Sequence, residues 1–298
     1  MIVNYPRMRR RAAWPSDLDT ALEFTSPEAF SISAAKNWDG EIEYTNGSEW
    51  QTWDGSEITS GKNGSDHCIY FRGIGNSKIT GVDSTVAKWR IIGTNIACNG
   101  DIDLLLDYSS VKNGNRPAMA DYCYSYMFYG CTSLTAAPSL PATTLAEECY
   151  SGMFSGCTSL TAAPSSLPAT TLVASCYNSM FRDCTSLTAA PSLPATTLAE
   201  ECYSHMFYGC TGLTAAPSLP ATTLAGSCYS YMFYRLQKIK VSSVSSGTYT
   251  KAYRIPKTGA GTMATRALRN MFANTGGTFI GTPEINTTYY LDESNTIV

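Results

Sequence analysis

The chain has 298 residues, 44% hydrophobic and 15% charged, with a formal net charge of -3. That length and composition can bury a sizeable core in two or three folding units. No apolar run reaches the length of a membrane span, and none precedes a small-residue cleavage site after Met1, so neither a transmembrane helix nor a secretory leader is expected. Charge is segregated along the chain. Residues 1-20 carry four Arg and two Asp, residues 21-122 carry eight basic and fourteen acidic groups, and residues 235-298 carry eight basic and three acidic groups. Between them, residues 123-234 hold one basic residue, Arg182, against five acids. A nucleic-acid surface needs a row of Lys or Arg to neutralise phosphates, so nucleic acid is not an expected partner.

Residues 1-20 are read as a basic arm. Arg7, Arg9, Arg10 and Arg11 precede Trp14-Pro15 without helical or alternating apolar period, as in a terminus that stays loose until a partner orders it. From Leu22 the pattern becomes β-type. Asp39-Gly40, Asn46-Gly47, Asp54-Gly55 and Asn63-Gly64 punctuate short runs such as Glu41–Tyr44, Glu49–Trp53 and His67–Arg72, and Asn-Gly between alternating segments is a strong hairpin signal. Residues 21-108 are therefore predicted to form an antiparallel β-sandwich closed by Lys88–Ile92 and the apolar run Ile102–Leu106. Trp38, Trp50 and Trp53 suit its core, with glycan contact as the functional alternative. The carboxylate pairs Glu41/Glu43 and Asp101/Asp103 are expected on solvated strand faces. Glycoside hydrolysis sets its two acids across a cleft, and these lie side by side.

Five near-identical segments follow, starting at Cys123-Tyr124, Cys149-Tyr150, Cys176-Tyr177, Cys202-Tyr203 and Cys228-Tyr229, at intervals of 26, 27, 26 and 26 residues. Each reads roughly C-Y-x-x-M-F-x-x-C-T-x-L-T-A-A-P-S-L-P-A-T-T-L. Repetition at this period predicts a solenoid whose units bury their apolar faces only against neighbours. Nine of the eleven Cys fall in two columns of the repeat, which reads as buried reduced thiols, with bridges between stacked copies the alternative. The eight-residue Cys spacing lacks the C-x-x-C pairing of structural zinc sites, and only His67 and His205 are present, so no metal and no other cofactor is expected.

Within a repeat, Thr144 and Glu147 resemble a capping box, which predicts a helix over about 145-155 with Leu145, Cys149 and Met153 on one face and Gly156 as its stop. Thr158–Thr161 is β-compatible, and Pro164 and Pro168 impose an extended return leg. The order of helix, Cys, Leu-bearing strand and Pro-punctuated return resembles the BspA-like leucine-rich repeat, whose I-x-x-x-A-F-x-x-C-x-x-L-x-x-I-x-I-P pattern is matched by M-F-x-x-C-x-x-L at Met127–Leu134, Met153–Leu160, Met180–Leu187 and Met206–Leu213. The match covers about residues 117-240, and Met271-Phe272 looks like a degenerate last copy. In the fifth copy Arg235-Leu236 stands where Gly-Cys is the rule. The resemblance implies a curved solenoid with one helix and one short strand per repeat, and adhesion to proteins or glycans in place of chemistry.

The expected layout is thus a basic arm (1-20), a β-sandwich (21-108), a leucine-rich-repeat solenoid (109-240) and a C-terminal cap (241-298), mixed α and β overall. The copies differ at two places, after Cys-Tyr and after Met-Phe, and columns that vary without cavities or clashes belong outside. Tyr126, Tyr129, Tyr208, Tyr231 and Tyr234, with His205 and Arg182, are therefore expected to line an exposed helical edge. Tyr gives broad amphipathic contact at low entropic cost. The functional expectation is a non-enzymatic recognition protein meeting a host or partner surface protein or glycan, self-associating or attached by its arm to a virion structural protein. A phage virion appendage is the first reading, a secreted or surface-anchored bacterial adhesin the second, and a glycan-active enzyme using the β-domain a distant third.

Overall fold

The computed structural model describes residues 13-82 and 88-298, so Arg7, Arg9, Arg10 and Arg11 lie outside the described residues. Nine strands occupy the first third of the chain: β1 (Leu22–Ser26), β2 (Ser31–Ala34), β3 (Glu41–Thr45), β4 (Gln51–Thr52), β5 (Ile58–Thr59), β6 (Gly61–Asn63), β7 (Asp66–Ile74), β8 (Trp89–Ile92) and β9 (Ile96–Asn99). One sheet is built around β7, which pairs antiparallel with β1, β3 and β6, while β2 joins β5 and β8 in a second. The Asn63-Gly64 signal marks a hairpin between β6 and β7 in which Asn63 pairs with Asp66 and Gly64 and Ser65 form the two-residue loop, with Gly64 at φ +63°. Alternation along β1 turns Leu22 and Phe24 inward. They meet a core of aromatic rings in which Trp53 lies 5.1 Å from Trp38, 4.9 Å from Trp89 and 4.8 Å from Phe71.

Two expectations for this region are corrected. The run Ile102–Leu106, read as a closing strand, opens the helix α1 (Leu104–Lys112), whose Leu104, Leu105 and Leu106 are buried. Residues 13-20 are docked, not loose. Trp14 meets Tyr70 edge-on at 5.4 Å, and Asp17 accepts from Trp50 Nε1 at 3.0 Å and from Arg72 Nη1 at 2.6 Å. Arg72 is the centre of this dock. Its guanidinium also bonds Glu43 at 2.7 Å and lies 4.0 Å from the Trp50 ring and 4.3 Å from the Tyr108 ring.

The predicted helix-and-strand solenoid is not formed. Among the described residues the chain is mostly β, with α1 as its one α-helix, and α1 lies outside the repeats. The finding that overturns the repeat helix is the destination of its amides. In the second copy Glu148, Tyr150, Gly152, Phe154 and Gly156 donate to Ala174, Cys176, Asn178, Met180 and Arg182 of the next copy at 2.7–3.1 Å. The alternate amides of Cys149, Ser151, Met153, Ser155 and Cys157 donate back three residues within their own copy. Every fourth residue is left-handed: Glu148 (φ 51°), Gly152 (60°) and Gly156 (75°), then Ser175, Ser179 and Asp183, then Glu201, His205 and Gly209. An α-helix needs negative φ throughout and every amide bonded four residues back, so this segment is a run of tandem turns. The predicted strands shrink likewise. Only Leu134–Ala136 (β10) and Ala215–Ala216 are strands at that place, and the Ala136↔Ala162, Ser166↔Ser192 and Thr171↔Thr197 pairings are isolated bridges.

The turns place Cys-Tyr and Met-Phe inward, and Ser125, Ser151, Ser204 and Ser230 after Cys-Tyr are buried too, so the invariant columns form the interior. Tyr124, Tyr150, Tyr177, Tyr203 and Tyr229 stack at 5.4–5.9 Å within 9° of parallel. Phe128, Phe154, Phe181, Phe207 and Phe233 stack likewise at 5.5–6.0 Å. All eleven Cys are buried and unpaired. The second Cys column has a donor's role, since the thiols of Cys157, Cys184 and Cys210 donate to the carbonyls of Phe128, Phe154 and Phe181 one copy back, at 3.0, 3.1 and 2.9 Å. Burial pushes the thiols of Cys131, Cys149 and Cys202 up to about 12, which keeps them protonated at neutral pH.

Both ends of the stack are covered. On the first copy, Trp89 and Ile96 donate backbone amides to Met127 and Ser133, Phe128 packs on Phe24 and Trp89, and β10 pairs in parallel with β9. At the far end Tyr229, Tyr231, Phe233 and Arg235 donate to Ala267, Arg269, Met271 and Ala273, and Phe272 stacks on Phe233 at 5.8 Å. An insertion precedes this sixth layer, since Tyr229 bonds 38 residues ahead where Tyr203 bonds 25 ahead, and Thr262-Met263 already pair in register with Thr223-Leu224. Strands Lys240–Ser242, Tyr249–Arg254, Gly276–Gly277 and Thr288–Asp292 then close the end as a four-stranded sheet.

Candidate functional site

The outward positions of the tandem turns make two adjacent columns along the stack. One runs Tyr126, Gly152, Ser179, His205, Tyr231; the other runs Tyr129, Ser155, Arg182, Tyr208, Tyr234. The correction to the expected helical edge is one of backbone, because the first column occupies left-handed positions, with His205 at φ 57° and Tyr231 at φ 56°. His205 stacks on Tyr231 at 4.8 Å and 12°, and Tyr208 on Tyr234 at 4.7 Å and 16°. The two rows touch through His205–Tyr208 at 5.8 Å and Tyr231–Tyr234 at 5.5 Å.

Guanidinium groups surround this four-ring face. Arg182 lies 4.6 Å from the Tyr208 ring, Arg235 lies 5.7 Å from the Tyr234 ring, and Arg269 lies 5.7 Å from the Tyr231 ring. Arg182 pairs with Asp183 at 3.3 Å, and both are exposed. Among the described residues no carboxylate lies within ion-pair distance of Arg235 or Arg269. Burial, and then Arg182, hold the His205 imidazole below its ordinary range, so it is neutral at pH 7. Gly209, at φ 73°, takes the left-handed turn position without a side chain, and a Cβ on it would stand 2.1 Å from Asp183 Oδ1, so Asp183 would have to turn aside.

Of the expected site residues, the structure brings together Arg182, His205, Tyr208, Tyr231 and Tyr234. Tyr126 and Tyr129 form a separate pair two copies away, with Tyr129 42% exposed and Lys88 5.7 Å from its ring. Tyr126 lies over Gly152, where a Cβ would come within 2.4 Å of its ring. The glycan-contact alternative for the tryptophans is corrected. Trp38 and Trp53 are core, at 5% and 1% exposure, and Trp50 has Arg72 on its face and Asp17 on its ring nitrogen. Arg235 and Arg269 are contributors that column reading missed. Arg235 stood at the position of Gly156 and Gly209 and was legible as a departure, whereas Arg269 is displaced from the period by the insertion.

Of the paired acids, Glu41 and Glu43 share the outward face of β3, whereas Asp103 is buried and the Asp101/Asp103 expectation is corrected. Glu43 bonds Arg72, and Thr52 donates to Glu41. Asp103 is 1% exposed; it lies 3.4 Å from Arg116 and 3.5 Å from Tyr124 Oη, while Arg116 also pairs with Asp101. Desolvation, then Asp101, push the Asp103 carboxyl up to about 6 against the pull of Arg116. The folded chain therefore keeps a proton that the unfolded chain has lost between pH ~4 and ~6, and stability falls as pH rises through that window, by on the order of 3 kcal/mol. Asp103→Asn is expected to remove this fall. Denaturation curves from pH 4 to 7 should show a flatter slope for the variant, and identical slopes would contradict the assignment.

No protein-family model matches the chain, and neither a curated protein nor a solved structure matches it. Among the described residues, no helix is long and apolar enough to cross a membrane, and no group of three or more His, Cys, Asp or Glu is placed to hold a metal ion.

Proposed function

We propose that this chain is a non-enzymatic recognition protein that contacts a host or partner surface through the face of His205, Tyr208, Tyr231 and Tyr234. One observation carries the reading: the columns that differ between copies converge there, while the invariant columns fill the interior. Large aromatic rings held in a rigid register lose little entropy on binding, and Arg adds directed hydrogen bonds, the combination typical of binding hot spots. A phage virion appendage meeting a bacterial envelope is the setting we favour, and a bacterial surface adhesin is the alternative; in both, a stiff repeated body holds a contact face away from its attachment.

The test is a double variant, Tyr208→Ala with Tyr234→Ala, assayed against a panel of bacterial envelope fractions. Its folding stability should change by less than about 1 kcal/mol, as for outward side chains. Binding to the fraction that retains the parent protein should weaken by about 2 kcal/mol or more. Undiminished binding by a folded double variant would remove the face from recognition.

A further inference from the structure

We infer that the face takes an acidic polysaccharide, one whose sugar rings carry carboxylates; this rests on the recognition reading above and specifies its ligand. The charge around the rings is one-sided. Arg182, Arg235 and Arg269 reach the aromatic rows from three positions, and Asp183 is bonded to Arg182 alone of these. Arg235 and Arg269 are exposed and lack a carboxylate partner among the described residues, so their fork-like donors are available to a ligand's carboxylates.

The shape of the face favours a sugar chain over an acidic peptide. Its contact surface consists of ring edges repeated at 4.7–4.8 Å from one copy to the next, the ring faces being turned to one another and to the guanidinium groups, and no exposed aliphatic side chain lies in either outward column. A stable protein contact wants an apolar centre that can be desolvated as a patch. A linear polysaccharide offers carboxylates and hydroxyls at a spacing of the same order as one layer, and so meets a polar row of ring edges flanked by guanidinium groups.

The experiment uses the full chain with four probes: oligogalacturonate and oligosialic acid, each as the free acid and as the methyl ester. At least one acid should bind, and its ester should bind about tenfold more weakly or worse, since the ester keeps the rings and loses the charge. Arg235→Gln combined with Arg269→Gln should cost the acid about tenfold in affinity while the melting temperature stays unchanged, a factor of ten corresponding to about 1.4 kcal/mol. Neither acid binding, or ester and acid binding alike, overturns the inference. So does poly-glutamate displacing the acid at equal concentration of charge, which would assign the face to acidic peptides. Envelope binding that is lost with Tyr208→Ala/Tyr234→Ala but kept with the Arg pair replaced would sink the acidic ligand and leave the recognition face standing. Indifference to both variants would sink both.

Discussion

Replacing Phe181 by Ala is expected to cost about 3–5 kcal/mol of folding stability, the range for emptying an aromatic core position. Its ring is fully buried and lies 5.5 Å from Phe154 and 5.9 Å from Phe207, within 3° of parallel to both. The usual relief, collapse of neighbours into the hole, is blocked by the backbone. Phe154 donates to Met180 at 2.9 Å and Phe181 to Met206 at 3.0 Å, so the spacing of the layers is set by amides on either side of the ring. The cavity therefore stays open. Equilibrium denaturation measures the effect, and a loss under about 0.5 kcal/mol would place this column at the surface.

Arg72→Ala should be comparably severe, about 3–5 kcal/mol, for an electrostatic reason. The guanidinium is 10% exposed and holds Glu43 at 2.7 Å and Asp17 at 2.6 Å while filling the space between Trp50 and Tyr108. Without it, two carboxylates share a site with no cation, and the hydrogen bond from Trp50 no longer suffices to keep Asp17 in place. Arg72→Lys should recover less than half of the loss, because an ammonium cannot bond both acids while lying flat between two rings. Limited proteolysis gives a second readout: cleavage near residues 13-20 should accelerate in Arg72→Ala. Wild-type stability in the alanine variant would show that the dock is incidental.

How far the sequence could be read follows from particular residues. The β-region was legible from its turns, since Asn63-Gly64 permits the left-handed turn that the β6–β7 hairpin requires. The ring columns were legible as interior because Cys, Tyr, Met and Phe recur unchanged. Their secondary structure was not. Leu145, Cys149 and Met153 are spaced by four, which fits one helical face over two turns, yet Cys149-Tyr150, Met153-Phe154 and Cys157 keep a strict period of four that a 3.6-residue helix cannot hold. The outward residues carried a second signal. Gly152 and Gly156 fall four residues apart, and Gly130, Gly156 and Gly209 recur with Asp183 in one column of the repeat, as left-handed positions demand, although Glu148, Ser175 and Glu201 in the same conformation disguise it. The Thr144–Glu147 capping box was a false positive because Glu148 bonds to the next copy. The partial exposure of Trp50 depends on Arg72 and Asp17, and the docking of Trp14 on Tyr70, contacts over long sequence separation that no local pattern encodes.

The central claim is that the repeats are tandem turns bonded to one another, with a left-handed residue at every fourth position. Ser179, at φ 55° in the middle copy, decides it through the sign of one comparison. Ser179→Gly and Ser179→Ala both lose the same side-chain bond to Asn178, so their difference isolates the backbone. At a left-handed position the glycine variant should be the more stable by about 1 kcal/mol. Inside a helix the alanine variant would be the more stable by a similar amount. Denaturation of the two proteins side by side should give the first order, and the second would contradict the account.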